Sequence, residues 1–118
     1  MGSAYQIQDQ GGLYFFTFQV VDWADIFSRQ IYRDIVLDSF SFCRSEKGME
    51  LFAYVIMTNH VHCIVQSKKA KLSELIRDFK RYTSRQVLKE IPTNPKESRK
   101  EWLEMIFKIS CQIQQKSS

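Results

Sequence analysis

The stretch VIMTNHVHCIV, Val55 to Val65, limits the fold more than any other part of the chain. Two short apolar, β-branched runs flank the pair Thr58-Asn59. Such runs favour strands, and asparagine tolerates the left-handed backbone that tight turns use, so the pattern predicts a β-hairpin. The strands are MELFAYVIM, from Met49, and HVHCIVQS, from His60. Both histidines of the chain, His60 and His62, fall at the start of the second strand.

The rest of the chain arranges itself around that hairpin. Leu13–Val21, LYFFTFQVV, is aromatic and β-branched and reads as a strand buried on both faces. From Arg29 to Lys47, the residues Ile31, Ile35, Ser39, Phe42 and Cys43 recur near helical spacing. Ser28 suits the N-cap of that helix, and Gly48 suits its C-terminal glycine position. Leu72, Leu75, Ile76, Phe79, Thr83, Val87 and Ile91 mark a strong second helix, closed by Pro92 and Pro95. KESRKEWLEMIF reads as a third helix, and residues 109–118 are expected to fray. No linker divides the 118 residues, which form one domain. The order strand, helix, strand, strand, helix is most of a split βαβ, ferredoxin-like unit. The predicted class is α+β, with an antiparallel sheet, helices on one face, and no clear candidate for the fourth strand.

Charge is unevenly spread. Up to Ser67 there are four basic and seven acidic residues; from Lys68 onward there are thirteen basic and six acidic. A basic end suits a polyanion such as nucleic acid, although a solvated charged surface has the same composition. No apolar run reaches the roughly eighteen residues of a membrane span. The opening MGSAYQIQDQGG lacks the regions of a signal peptide, so a cytoplasmic location is expected. Cys43, Cys63 and Cys111 suggest no disulfide framework.

Side chains on a strand alternate, so His60 and His62 share a face and Val61 and Cys63 take the other. Two imidazoles so placed can ligate one metal ion. Two surface histidines on an open sheet face are the plainer reading. Zinc is disfavoured, because Cys63 faces away and Cys43 and Cys111 lie outside any ligand spacing.

The segments YVIMTNHVHCIV, LSELIRDFKRYTSRQV and NPKESRKEW, in this order, resemble the bacterial single-tyrosine transposases. The likeness is to their REP-associated branch, within the HUH nucleases, whose motif His60-Val61-His62 fits. GLYFFTFQVVDWADIF is similar to the family's opening strand and loop, and the likeness runs from about Gly12 to Phe107. The resemblance implies that His60 and His62 bind a divalent metal, magnesium or manganese. It implies a reaction in which a helix-borne tyrosine attacks a phosphate of single-stranded DNA, forms a phosphotyrosine link and then transfers the strand. It also implies hairpin DNA as a partner and a homodimer as a common state.

The family carries its tyrosine and a third metal ligand in a later segment resembling Tyr-Ile-His-Asn-Asn-Pro, and KISCQIQQKSS does not match it. A truncated copy is therefore expected, with no catalytic residue assigned. Two readings follow: a transposase domain for DNA transposition, catalytic only if something else supplies the tyrosine and otherwise inactive, or a non-catalytic DNA-binding remnant. Tyr82, at the edge of the second helix's apolar face, reads as a half-buried core residue rather than a substitute nucleophile. Arg77, Arg81 and Arg85 recur every fourth residue opposite the apolar stripe, with Lys80 at its flank. Glu74 and Asp78 could pair with them as an ordinary solvated surface; the resemblance favours DNA-backbone contact.

Overall fold

In the computed structural model, the described residues are 7–20, 25–93 and 109–115, with side chains described as far as Glu90. Strand β1, Tyr14–Val20, alternates strictly between buried and half-buried positions. Tyr14, Phe16, Phe18 and Val20 point into the core, while Phe15, Thr17 and Gln19 occupy the other face. The expectation of a strand buried on both faces is corrected. Among the described residues helices cover one face only, and Phe15 gains partial cover by stacking on a histidine ring.

A short 3-10 turn at Ile26–Ser28 leads into helix α1, Gln30–Glu46. Ser28 is not the N-cap, because it belongs to that turn and its N–H donates to Asp25 O at 3.0 Å. Arg29 holds the cap position without a side-chain cap bond. Arg33 supports the entry instead, donating to Phe27 O and to Gln30 Oε1, both at 2.7 Å. The buried stripe of α1 is Tyr32, Val36, Ser39, Phe40 and Cys43. The predicted stripe was turned by about one residue: Ile31 is 41% exposed, and Tyr32 and Phe40 fill the core. Gly48 follows α1 at φ +71°, the left-handed backbone a helix-ending glycine supplies without a Cβ clash.

Strands β2, Met49–Ile56, and β3, His60–Ser67, form the predicted hairpin. β2 carries an irregularity between Leu51 and Ala53. Helix α2, Leu72–Thr93, buries Leu72, Leu75, Ile76, Phe79, Thr83 and Val87, as read from the sequence; the Ile91 side chain lies outside the described residues, and the helix runs one residue past Pro92, where it was expected to close. Its first turn is tied to the lead segment, where Gln10 accepts from Ser73 N at 2.7 Å and donates to Ser73 Oγ at 2.9 Å. These bonds satisfy one of the N–H groups that a helix start leaves without a partner.

The sheet has four strands in the order β2-β3-β1-β4, with β4 at Ile109–Gln115, and each neighbouring pair is antiparallel. This is the ferredoxin-like arrangement, and it contains the strand that the sequence reading left without a candidate. Residues expected to fray pair with β1 from Tyr14↔Gln115 to Val20↔Ile109. The overlooked signal is a period of two: apolar Ile109, Cys111 and Ile113 alternate with Ser110, Gln112 and Gln114. The third helix read over residues 96–107 lies outside the described residues.

The core joins the sheet to both helices through aromatic rings. Phe79 packs on Phe18 and Phe40, each with centroids 4.9 Å away. Between the helices, Thr83 Oγ1 donates to Ser39 Oγ at 2.8 Å, and Ser39 Oγ donates to Ile35 O at 2.9 Å. This chain of bonds satisfies two hydroxyls that burial would otherwise make costly.

Candidate metal and DNA site on the open sheet face

The turn before β3 is braced on three sides. Met57 N donates to His60 O at 2.7 Å, Phe27 N to Thr58 O at 2.9 Å, and Val20 N to Asn59 O at 3.0 Å. Ala70 is the one non-glycine residue with positive φ among those described, so Asn59 does not use the left-handed backbone expected of it. Its side chain has a different task. Asn59 Oδ1 lies 2.8 Å from His60 Nδ1.

β3 then alternates. Val61, Cys63 and Val65 are 2%, 1% and 0% exposed, facing the helices, while His60, His62 and Ile64 are half-buried on the open face. The two imidazoles meet there edge to face, with centroids 4.7 Å apart and planes at 77°. Across the sheet, Thr17 stands opposite His62 and Gln19 opposite His60. Thr17 Oγ1 is 3.0 Å from His62 Nδ1, and Phe15 stacks on the His62 ring at 5.4 Å and 14°. Val55, opposite His62 on β2, is 53% exposed and extends the apolar part of this face.

These surroundings fit a cation. Partial burial, and secondarily the neighbouring His62, hold the His60 pKa below its ordinary value, favouring the neutral ring a metal needs. Each Nδ1 lies within hydrogen-bond distance of a neighbouring oxygen, the outer-shell pattern found around histidine ligands. Among the described residues, no third Cys, His, Asp or Glu side chain joins the pair. Cys63 faces the core, and burial pushes the Cys43 thiol up to about 12, so neither offers a thiolate here.

The predicted DNA contacts lie elsewhere. Arg77, Arg81 and Arg85 are exposed on α2 and Lys80 is half-buried. α2 packs on the sheet face opposite the histidines, so the helix layer and the sheet separate the arginine ridge from the pair. Arg77 Nε and Lys47 Nζ each lie 3.5 Å from an Asp78 carboxylate oxygen.

Each described tyrosine belongs to the helix side. Tyr14 and Tyr32 are buried in the core, Tyr54 packs on Phe40, and Tyr82 stacks on Phe42 at 4.4 Å and 7°. His60 and His62 share the open face, as the sequence indicates, and Tyr82 is half-buried against Phe42, whereas the neighbours Phe15, Thr17 and Asn59 were not singled out. Asn59 could have been suspected from its adjacency to His60. Thr17 is 45 residues from His62, and only the register of β1 on β3 reveals it.

Residues 14–117 match the IS200-like transposase family, and the chain belongs to that family. No curated protein matches it. Among solved structures, the chain is similar to a REP-associated tyrosine transposase bound to a REP hairpin, with 17% identity and a TM-score of 0.65. That match covers all of this chain and 64% of the other. It is similar as well to a crystal structure from Deinococcus radiodurans R1 that carries a provisional transposase designation. There the identity is 15%, the TM-score 0.67, and the coverage all of this chain and 86% of the other. At these identities the likeness establishes the shared fold. Among the described residues, no helix is long and apolar enough to cross a membrane.

Proposed function

We propose that this chain binds single-stranded or hairpin DNA on its open sheet face, in the manner of the REP-associated branch, with His60 and His62 holding a magnesium or manganese ion against a phosphate. The convergence of the two imidazoles beside Phe15 and Val55 carries this reading. The metal, when bound, would neutralise phosphate charge and polarise the phosphorus centre. His60 and His62 would hold it through Nε2, and water and phosphate oxygens would complete a coordination shell that two imidazoles leave open. Phe15 presents a ring to a base, since every base has a face that stacks.

In the family reaction a tyrosine attacks the phosphate, opening one phosphodiester bond as the phosphotyrosine forms and releasing a 3′-hydroxyl. A second 3′-hydroxyl then reverses the exchange, so strand transfer needs no outside energy. None of the four described tyrosines faces the histidines. We therefore assign this chain DNA binding and phosphate positioning without strand scission. Arg77, Lys80, Arg81 and Arg85 would form a second polyanion-binding surface on the far side of the molecule, suited to the duplex part of a hairpin or to a second strand. A homodimer, which the family resemblance suggests, is part of this reading, and sedimentation of the full chain with and without hairpin DNA tests it.

Incubation of the full chain with end-labelled hairpin DNA and manganese tests the catalytic part. A shifted, non-covalent complex with intact DNA is expected. A protein–DNA band that survives denaturant would contradict the assignment, and its loss in Y82F would identify the tyrosine responsible.

A further inference from the structure

We propose that Asn59 and Thr17 are positioning residues that hold the two histidine rings by Nδ1, Asn59 fixing the tautomer of His60 and Thr17 accommodating either form of His62, so that both Nε2 atoms can serve as ligand atoms. The inference deepens the metal reading above and rests on it. Asn59 Oδ1 can only accept, so the 2.8 Å contact places the proton of neutral His60 on Nδ1. A neutral imidazole carries one proton, so His60 Nε2 is already a bare lone pair before any metal arrives. Asn59 is itself held by the turn, whose carbonyl accepts from Val20 N.

Thr17 acts differently on His62. A hydroxyl can donate or accept, so the 3.0 Å contact with Nδ1 is compatible with either neutral form of the ring. In the metal-free protein Thr17 can donate to an unprotonated Nδ1. Were Nε2 to hold a metal, the proton would sit on Nδ1 and the Thr17 hydroxyl would accept it. The ring need not move, because Phe15 stacks on its face and the β1–β3 register keeps Thr17 opposite. The pair is therefore asymmetric: His60 is preset by an obligate acceptor, and His62 is adjustable through a hydroxyl. Neighbours of this kind commonly account for tenfold or more in metal affinity.

Long-range proton–nitrogen NMR of the metal-free, nitrogen-15-labelled full chain, above the pKa of both rings, reads the tautomers directly. His60 is expected in the Nδ1–H form in the wild-type chain and in N59D, and in a mixture or the Nε2–H form in N59A. Free manganese, counted by electron paramagnetic resonance, is expected to report affinity about tenfold weaker in T17V and N59A, with T17S restored. Unchanged amide spectra show that each variant folds. An Nε2–H form of His60 in the wild-type chain, or wild-type manganese affinity in folded T17V and N59A, overturns the proposal. If His60 is Nδ1–H but the wild-type chain leaves manganese free, the metal reading itself fails, and the role given to both positioning residues fails with it.

Discussion

His60 and Arg81 stand on opposite sides of the molecule: the imidazole lies on the open face of the sheet, and the guanidinium lies on the outer surface of the helix that packs on the other face. The metal and DNA residues expected from the sequence therefore lie on two separate surfaces. Replacing Arg77, Arg81 and Arg85 together by alanine should weaken DNA binding across sequences and flatten its salt dependence by up to about three in the logarithmic slope. Manganese affinity should stay at the wild-type level. Fluorescence anisotropy across a salt series, beside a manganese titration, measures both; a matching loss of manganese binding would show that the two surfaces communicate.

Removing the histidines should have the complementary effect. The double variant H60A/H62A should abolish a manganese affinity that is already weak, in the millimolar range expected when water supplies most ligands. Both rings are half-buried at the surface, so stability should change by less than about 1 kcal/mol. Chemical denaturation checks this, and a large loss of stability would instead give the pair a structural role.

The pH dependence has a definite sign. His60 in the folded chain has its pKa held below the ordinary value, by burial first and by His62 second. As pH falls, the unfolded chain takes up this proton before the folded one. This contribution to stability is therefore full above the ordinary histidine pKa of about 6.5 and is lost as pH falls through the lower, folded value. A titration followed at the His60 ring proton by NMR should show a midpoint below 6.5. A midpoint above it would mean that the ring is stabilised as a cation.

The hydroxyl chain between α1 and α2 should be worth measuring as a unit. T83V removes the donor to Ser39 while Ser39 keeps its bond to Ile35 O, so a loss of about 1 kcal/mol is expected. The double variant S39A/T83V should cost less than the sum of the two single variants, because it removes both partners of one buried bond. Strict additivity in denaturant unfolding would show that the two hydroxyls do not couple.

Much of this was legible from side-chain periodicity. α2 buries Leu72, Leu75, Ile76, Phe79, Thr83 and Val87 as its spacing indicates, and β3 begins at His60 with alternating faces. Reading failed where two patterns compete. In α1, both Ile31-Ile35 and Tyr32-Val36 satisfy helical spacing, and the packing of Phe40 on Phe79 decides between them. β4 was missed because its polar glutamines and serine outweighed a weak alternation that pairing with β1 makes meaningful. The site followed the same division. A motif two residues apart identifies the histidines, but their orientation depends on Thr17, brought in by strand register. Likewise, four-residue spacing groups the arginines on one helix face without showing which side of the sheet that helix occupies.

DNA is proposed to meet this chain at the histidine face. Backbone amide and ring NMR signals of the full chain, followed as a short hairpin DNA is added with magnesium, test it most directly. The largest changes are expected at Phe15, Thr17, His60 and His62, with weaker, salt-sensitive changes at Arg77, Arg81 and Arg85. Changes confined to the α2 arginines, with the histidine face untouched, would contradict it.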